Sequence, residues 1–357
     1  MMKAIRFHEF GAPDVLRYED APKPDIKHGE VLIRVIAAGI NPPDWYLREG
    51  YKALPPEWRP EVAFPVIPGS DVSGVVVAVA DDVQGFVPGD EAFGMIRFPS
   101  YGDSLGYAEY VSAPASDLAI KPRSIDHVHA AAVPMSGLTA WQFLISLGHD
   151  EPNPLQPDRH QPVPLAGKWV LVNGAAGGVG HLAVQLAKQQ GARVIAVASG
   201  RHENFLDDLG ADDFIDYTKT AAEDVVRDVD LVVDAVGGPT ADRFLRTIRR
   251  GGALFPIFPL GFTGQDDAAR LGVTVSATQV RSNGAQLAEL GQLLESGAVR
   301  VAIDGTYPLS QASAAHERAA DGHIQGKIVL TVGDADPRPV STSAVSPTTW
   351  PPRTIGH

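Results

Sequence analysis

The segment that most clearly indicates a chemical function is a glycine-rich turn in the middle of the chain. Residues 168–180 read KWVLVNGAAGGVG, and a helical pattern follows over 179–190 until Gly191. An apolar strand, a glycine-rich turn and a helix, in this order, form the context that binds a dinucleotide. Gly177 would let the backbone approach a pyrophosphate, Gly180 would let the helix pack closely on the strand, and the helix N-terminus would attract the phosphates. The alternative interpretation is an ordinary tight turn between a strand and a helix.

The end of the next strand indicates which dinucleotide is bound. An Asp or Glu about 20 residues beyond the glycines normally binds the ribose 2′-hydroxyl of NAD. Here the strand pattern over 193–198 is followed by Ser199, Gly200, Arg201 and His202, with no carboxylate. The Ser199 hydroxyl and the Arg201 guanidinium would bind a 2′-phosphate, which a carboxylate would repel. The sequence therefore predicts NADPH as the cofactor, unless Arg201 is only a solvated residue at a helix N-terminus.

The length, charge and cysteine content of the chain limit the class of protein to which this turn belongs. The chain has 357 residues, a net charge of −13 and no cysteine. Its length predicts two domains, and its negative charge disfavours nucleic acid and anionic membrane surfaces as partners. The lack of cysteine excludes disulfides and thiolate metal sites. The sequence has neither a leader pattern nor an apolar run long enough to span a bilayer, and we expect a cytoplasmic location.

The chain before the glycine-rich turn is mostly of β character. Many strand and turn patterns over about the first 125 residues predict a small barrel-like β domain. Its strands are expected at 3–7, 31–37, 72–80, 92–95 and 107–111. A helical pattern follows over 126–149, and the proline-rich stretch 149–164 is expected to be a surface loop.

From residue 167 onward, strand and helix patterns alternate, which predicts a doubly wound parallel sheet. Strands are expected at 169–172, 193–198, 214–215, 230–234, 253–257 and 273–277. Helices are expected at 179–190, 202–209, 220–228, 240–249 and 284–296, and the glycines at 251–252 are interpreted as the end of the fourth. Two later strands, at 299–303 and 327–332, are expected to rejoin the first domain, and the tail 334–357 is expected to be disordered or loosely packed.

Several motifs in a fixed order resemble those of one protein family. They are GINPPDWYLREG at 39–50, PGSDVSGVV at 68–76, GLTAW at 137–141, the turn at 175–180, LGAD at 209–212, DAVGG at 234–238 and GKIVL at 326–330. Over about residues 3–332 the chain resembles the medium-chain dehydrogenase/reductase superfamily, and within it the zinc-free quinone oxidoreductase branch. The resemblance implies an α/β fold: a GroES-like β-rich catalytic domain (1–125 and 298–333) plus a Rossmann-type doubly wound parallel sheet domain (126–297), with the active site in the cleft.

The same resemblance argues against a catalytic metal. Zinc-dependent members have a Cys-His pair where residues 41–42 are Asn-Pro, and His-Glu where residues 70–71 are Ser-Asp. Their cysteine-rich structural zinc lobe is also absent. Catalytic zinc takes about three protein ligands of the Cys, His or carboxylate type, which Asp71 alone does not supply. The pair His127 and His129 is interpreted as a surface feature at a helix start, and a zinc alcohol dehydrogenase is the least favoured function.

Without a metal, hydride transfer from NADPH suits a bond that is already electrophilic, either a quinone or a C=C bond conjugated to a carbonyl. Preorganised donors at the carbonyl oxygen would stabilise the enolate that forms. By resemblance, the catalytic candidates are Asn41, through its amide, and Tyr46, through a phenol that would also deliver a proton despite an ordinary pKa of ~10. The alternatives are that Asn41 caps a helix and that Tyr46 is a packing residue.

The resemblance implies further cofactor contacts. Thr139 matches a residue that approaches the cofactor, unless its hydroxyl only bonds its own helix. Tyr217 matches one that packs on the 2′-phosphate and adenosine, unless it is only a strand-end aromatic. The other candidates are Asn173, Gly174, Ala176, Gly178, Val179, Val236, Gly237 and Phe258. Lys327 could reach a phosphate, but it is expected to be an exposed, solvated lysine.

Two classes of function remain open. The first is an NADPH-dependent reductase of quinones or α,β-unsaturated carbonyls, of which a trans-acting enoyl reductase of a biosynthetic pathway is a variant. The second is a catalytically idle NADPH-binding protein that acts as a sensor or a structural component. The presence of both Asn41 and Tyr46 weighs against idleness. By analogy, a homodimer is expected, joined through the sheet edge near residues 254–280.

Overall fold

The computed structural model of the protein describes residues 1–100, 102, 104–151 and 159–333. The expected tail at 334–357 and residues 152–158 of the expected loop lie outside the described residues. The described chain forms two large β-sheets with helices packed between and around them. These two sheets are the α/β combination that the sequence predicts, and the fold class is confirmed.

The strands and helices of the described chain have the following bounds. The strands are β1 (Met2–Arg6), β2 (Arg17–Ala21), β3 (Glu30–Gly39), β4 (Asp71–Val79), β5 (Glu91–Met95), β6 (Tyr110–Pro114), β7 (Leu118–Ile120), β8 (Trp169–Asn173), β9 (Arg193–Ala198), β10 (Asp213–Asp216), β11 (Val229–Asp234), β12 (Ile248–Pro256), β13 (Thr274–Val275), β14 (Ile303–Pro308) and β15 (Lys327–Thr331). The helices are α1 (Pro42–Arg48), α2 (His127–Ala131), α3 (Pro134–Leu144), α4 (Gly178–Gln189), α5 (Glu203–Asp208), α6 (Ala222–Val225), α7 (Gln265–Leu271), α8 (Gly284–Glu295) and α9 (Ala312–Ala320).

The first sheet contains strands from both ends of the chain. Its order is β14-β15-β3-β4-β5-β7, with β6 also paired to β3. The C-terminal strand β15 runs antiparallel to β3, with Val329 opposite Gly39. The strands β1 and β2 form a separate antiparallel ribbon. The N-terminal β domain is therefore completed by residues that follow the second domain in sequence.

The second sheet is parallel, in the order β10-β9-β8-β11-β12-β13. Counted from its first strand, β8, this is the 3-2-1-4-5-6 order of a Rossmann fold. The chain crosses from one half of the sheet to the other between β10 and β11, so β8 and β11 are neighbours whose connections leave in opposite directions. Apolar clusters fill both faces of this sheet. In such sheets, ligands bind beyond the carboxyl ends of the strands at that switch point.

The prediction of a single helix over 126–149 is wrong. This stretch is divided into α2, which ends at Ala131, and α3, which begins at Pro134. Proline has no backbone N–H and its ring clashes with the preceding turn, so it starts a helix instead of continuing one. All eleven residues of α3 are buried, which suits a helix enclosed by other elements on every side.

Several other boundaries also differ from the prediction. The helix expected at 240–249 is a 3-10 helix over Ala241–Thr247, and β12 begins directly afterwards at Ile248. The glycines at 251–252 that were interpreted as a helix end lie within β12, where its register with β11 is irregular. Glycine is typical of such bulges. The helix expected at 220–228 shortens to α6, and the strands expected at 107–111 and 299–303 begin only at Tyr110 and Ile303.

None of the helices in the described part of the chain combines the length and apolar character that crossing a membrane requires.

The close packing of α4 on the sheet yields a prediction about stability. A Cβ at Gly180 would lie 2.8 Å from both Ala175 Cα and the Gly174 carbonyl carbon. We expect the Gly180→Ala substitution to lower the free energy of unfolding by ~1–3 kcal/mol, because backbone atoms must shift to admit the methyl group. Urea denaturation of the ligand-free protein measures this loss. The matched control is Gly177→Ala, whose Cβ would meet only the Gly174 oxygen at 3.4 Å; an equal loss in both variants would contradict the prediction.

Candidate active site

The loop after β11 is shaped by a buried carboxylate at the switch point. Asn173, the last residue of β8, donates from its Nδ2 atom to Asp234 Oδ1 at 2.8 Å. The same oxygen accepts the backbone N–H groups of Val236 at 3.1 Å and Gly237 at 2.9 Å. Asp234 thus holds the ends of two neighbouring strands and the following loop in one arrangement. The sequence interpretation did not assign it a role, although it is the first residue of the DAVGG motif.

The glycine-rich turn has the geometry that a dinucleotide-binding turn requires. Gly174 has a φ of +71°, in the left-handed region that favours glycine. Gly177 is the N-cap of α4, and the close approach of the helix at Gly180 is confirmed. His181 supports the turn: its Nδ1 donates to the Gly177 carbonyl at 2.8 Å and its Nε2 accepts the Ala302 N–H at 3.3 Å. Burial lowers the pKa of His181 to about 4, so the ring stays neutral.

The predicted 2′-phosphate residues lie together at the ends of β9 and β10. Ser199 directly follows β9, and Tyr217, which is 48% exposed, directly follows β10. The Arg201 side chain is hydrogen-bonded to His202 at 3.0 Å and to the carbonyl of His323. Its guanidinium is therefore fixed near the end of the sheet. The contacts of these residues with a cofactor stay predictions.

One carboxylate that the sequence argument left out also lies at this place. Asp216, the last residue of β10, approaches the Ser199–Arg201 turn: a Cβ on Gly200 would lie 3.1 Å from its carboxyl carbon. The sequence argument considered only residues 199–202, which contain no carboxylate, and it therefore missed this neighbour. The parallel pairing of β10 with β9 brings it there. Hydrogen bonds led by the Thr218 hydroxyl lower the pKa of Asp216 to about 2, and Lys219 pairs with it at 3.2 Å.

An aromatic pair near the switch point consists of one residue from each domain. Tyr46 on α1 has its ring centroid 5.9 Å from that of Phe258, which follows β12. Phe258 packs on the loop after β11, since a Cβ on Gly237 would lie 2.9 Å from the Phe258 nitrogen. Val236 in the same loop is 60% exposed. Burial raises the pKa of Tyr46, so its phenol is protonated at neutral pH. The structure therefore brings Tyr46, Val236, Gly237 and Phe258 together, as the resemblance implies.

Asn41 lies in a buried polar network at the start of α1. It is the N-cap of this helix, and its backbone N–H donates to Asp44 Oδ2 at 2.7 Å. Its side-chain Nδ2 donates to Asp71 Oδ2 at 2.9 Å, and its Oδ1 accepts a hydrogen bond from the Lys327 ammonium. Asn41 is 1% exposed. The helix position matches the capping alternative, whereas donation to a substrate stays a prediction.

Lys327 is the largest departure from the sequence interpretation. The expectation of an exposed, solvated lysine is wrong, because the residue is 4% exposed. Its ammonium also donates to the Ile40 carbonyl at 2.6 Å. Its aliphatic stem lies against the glycine-rich turn, where a Cβ on Gly178 would be 3.0 Å from Lys327 Cδ. The preceding residue, Gly326, donates its N–H to the Ala176 carbonyl at 2.8 Å.

Behind this network lies a second buried group that the sequence interpretation missed. The Tyr107 hydroxyl donates to Asp44 Oδ2 at 2.9 Å, and Arg48 Nη1 donates to His316 Nδ1 at 2.9 Å. Burial raises the pKa of Asp44 to about 7 and that of Asp71 to about 6. Burial and the nearby Arg48 lower the pKa of His316 to about 3. Asp44 and Arg48 occur in the quoted motif at 39–50, but no local signal marks Tyr107 or His316.

The start of α3 connects to the same network. The backbone N–H of Met135 donates to both oxygens of Asp71 at 3.0 Å. One turn later, the Thr139 hydroxyl donates to the Met135 carbonyl at 2.7 Å. This bond matches the alternative interpretation of Thr139, and its cofactor contact stays a prediction. The remaining turn residue, Val179, packs against the core cluster of the parallel sheet.

The residues in this cleft do not fit a zinc ion. Within residues 1–100, 102, 104–151 and 159–333, no three His, Asp or Glu side chains are grouped so that they could hold a metal. At the positions where zinc-dependent members carry ligands, Asn41 and Asp71 are hydrogen-bonded to each other. The ammonium of Lys327 contacts the same amide. The Lys327 ammonium therefore already lies near Asp71, the carboxylate that a metal ion would require.

The fold and site define a two-domain oxidoreductase with a dinucleotide turn at the domain boundary, and comparison with known proteins agrees. A model described as "Alcohol dehydrogenase GroES-like domain" matches residues 27–123, and one described as "Zinc-binding dehydrogenase" matches residues 209–330. The 2-methylene-furan-3-one reductase of Solanum lycopersicum and the chloroplastic NADPH-dependent alkenal/one oxidoreductase of Arabidopsis thaliana are each 35% identical to this chain, over 92% of it and 79% of their own length.

A solved structure, the quinone oxidoreductase from Coxiella burnetii, matches with a TM-score of 0.80 and 33% identity, covering 93% of this chain and 99% of that one. The chain belongs to the medium-chain dehydrogenase/reductase superfamily, in its quinone oxidoreductase-like branch. The family assignment made from the motifs is therefore confirmed.

The buried Asp44 carboxyl predicts how stability depends on pH. Its pKa rises from 3.8 to about 7 in the folded chain, so the folded state holds a proton that the unfolded state has lost. Its contribution to the free energy of unfolding therefore decreases as the pH rises through this range. We expect the stability advantage of the natural protein over Asp44→Asn to be larger at pH 5 than at pH 8. Chemical denaturation of both proteins at the two pH values measures it, and a difference that grows with pH would contradict it.

Proposed function

We propose that this protein reduces a quinone or an α,β-unsaturated carbonyl with NADPH and without a metal. The observation that carries this proposal is the placement of the Tyr46 phenol, on α1, opposite the carboxyl ends of β8, β11 and β12. That is where a dinucleotide at the glycine-rich turn would present its nicotinamide. Relatives that are named as quinone, alkenal/one and furanone reductases support the substrate class.

The residues at the turn fit an NADPH molecule. Gly177 leaves open space where a side chain would lie. A Cβ at this residue would contact only the Gly174 oxygen, at 3.4 Å. The first N–H groups of α4 are free to bind phosphate because no earlier carbonyl in the helix can accept them. Ser199, Arg201 and Tyr217 would hold the adenosine side. Bound NADPH supplies a hydride to the substrate.

Tyr46 and its surroundings provide what the substrate needs. The substrate carbon β to the carbonyl would take up the hydride. The C=C electron pair would shift to the bond between the α carbon and the carbonyl carbon, and the C=O pair would move onto the oxygen to give an enolate. The protonated Tyr46 hydroxyl would donate a hydrogen bond to that oxygen, and a proton from water taken up by the α carbon would complete the two-electron reduction. Phe258 and Val236 contribute apolar surface that excludes water from this part of the cleft, which strengthens the hydrogen bond.

Three finer points belong to the same proposal. The reaction is metal-independent, which is supported by the donor groups at Asn41 and Asp71, since both are already engaged with Lys327 or each other. The protein forms a homodimer through residues near 254–280, which is supported by the position of β13 at the edge of the parallel sheet. The protein acts in the cytoplasm.

The direct test follows NADPH absorbance with a panel of quinones and enones. We expect steady consumption of NADPH with at least one member, slower consumption of NADH, and no loss of rate after treatment with a metal chelator. Tight binding of NADPH without turnover on any member would overturn the proposal and favour an idle sensor. Loss of activity on chelation, restored by zinc, would overturn the metal-independent part.

Removing the phenol tests the role of Tyr46. We expect the Tyr46→Phe variant to lose ~100-fold in kcat, because a positioned donor to the developing oxyanion is gone. NADPH affinity should not change, because the lost hydroxyl faces the substrate. The control is Tyr18→Phe, at a residue that is 45% exposed on β2. Steady-state kinetics measure both variants, and an unchanged kcat in Tyr46→Phe would remove this residue from the reaction.

The relative affinity for NADPH and NADH tests the role of Arg201 in binding the 2′-phosphate. Replacing it by alanine removes a charged donor to the 2′-phosphate, and we expect NADPH affinity to fall by ~10–100-fold. NADH affinity should stay the same, because NADH has no phosphate there. Fluorescence titration with both cofactors measures the effect. The Arg270→Ala control removes the same charge from an exposed pair with Asp267; equal effects in the two variants would show that only net charge matters.

A further inference from the structure

The dipeptide 326–327 contacts both domains. Through its backbone, Gly326 donates to the Ala176 carbonyl in the glycine-rich turn at 2.8 Å. Through its side chain, Lys327 reaches the start of α1 and donates to the Ile40 carbonyl at 2.6 Å and to Asn41 Oδ1. Two adjacent residues therefore contact both the turn that would hold the cofactor and the helix that carries Tyr46.

The contacts continue from Lys327 into a third element. Asn41 Nδ2 donates to Asp71 Oδ2 on β4 at 2.9 Å. Asp71 in turn accepts a hydrogen bond from the N–H of Met135 at the start of α3. Asn41, Asp71 and Lys327 are each at most 4% exposed. A network that is this well buried has a fixed geometry, because each lost hydrogen bond would leave an unsatisfied polar group.

A buried ammonium is costly in a protein interior unless it is paired and hydrogen-bonded. Burial lowers the pKa of Lys327, and the charges of Asp71 and Asp44 offset this lowering only in part. The compensation that the site gives the ammonium is geometric: its Nζ donates to the Ile40 carbonyl and to Asn41 Oδ1. An apolar residue of the same length would fill this space without that cost, and this contrast suggests that the charge has a role in the site.

We propose that Lys327 is a positioning residue, whose ammonium holds α1, and with it Tyr46, at a fixed place relative to the glycine-rich turn. It provides the cation that the cleft has instead of a metal ion, beside Asn41 and Asp71. This inference rests on the proposed function, because it concerns how the phenol is aligned with the reacting carbonyl. A misplacement of about 1 Å can lower the rate of a reaction ~100-fold.

The test separates alignment from simple stability. Lys327→Met removes the charge but keeps the length, and it leaves Asp71 buried without its cation, so we expect a lower melting temperature. The double variant Lys327→Met with Asp71→Asn removes both charges and should regain most of that temperature. Its kcat should nevertheless stay ~100-fold below that of the natural protein, with an unchanged Kd for NADPH. If Lys327→Met does not fold, the double variant alone decides.

A second buried lysine provides the matched control. Lys121 is 5% exposed and donates to the carbonyls of Pro122 at 2.9 Å and Ile125 at 2.6 Å. Lys121→Met should lower the melting temperature and leave kcat unchanged. Recovery of kcat together with stability in the double variant would overturn the proposal, and so would a loss of kcat that is fully explained by weaker NADPH binding.

Amide hydrogen exchange of the NADPH-bound protein gives a readout that needs no turnover. We expect faster exchange in α1, over Pro42–Arg48, in the double variant, with unchanged exchange in α4, over Gly178–Gln189. Lys121→Met should change neither helix. Unchanged exchange in α1 would overturn the positioning role. If the natural protein turns over no quinone or enone while α1 still loosens, the proposed function fails and the structural link remains.

Discussion

The arrangement of the cleft depends on two adjacent residues, Gly326 and Lys327, and above all on the buried ammonium of Lys327. Lys327 is bonded to the Ile40 carbonyl and the Asn41 amide, and its neighbour Gly326 is bonded to the glycine-rich turn. Because these groups are buried, none can exchange its partner for water without a large loss of free energy. The two domains therefore meet at a well-ordered contact, and the raised pKa values of Asp44 and Asp71 are the consequence of burying their carboxyl groups there.

The fold could be predicted from the sequence where its signals are local. Alternating strand and helix patterns predicted the parallel sheet, whereas the order of its strands emerges only from the structure. Local signals failed where a proline or a neighbouring strand decided the outcome. Pro134 divides a continuous apolar pattern into two helices. The glycines at 251–252 were interpreted as a helix end, but they lie at an irregular pairing that only the sheet reveals.

The candidate site divides in the same way. The turn from Asn173 to Gly180 is predictable because its chemistry is contained in consecutive residues. Asp216 was missed because its position beside the Ser199–Arg201 turn depends on the pairing of two parallel strands. Lys327 was misjudged because lysines are rarely buried, and only its contacts with residues far away in sequence explain the exception.

The return of the last strands to the first sheet has a consequence for synthesis on the ribosome. Val329 lies opposite Gly39, so the edge of β3 stays open until almost the whole chain has emerged. The parallel sheet, whose strands lie between these two points, can fold earlier as a unit. Pairing between such distant residues slows folding, and an open strand edge invites pairing with other chains. The N-terminal β domain is therefore the part of this protein that is most exposed to incorrect pairing during synthesis, because its sheet is complete only when β15 has been made.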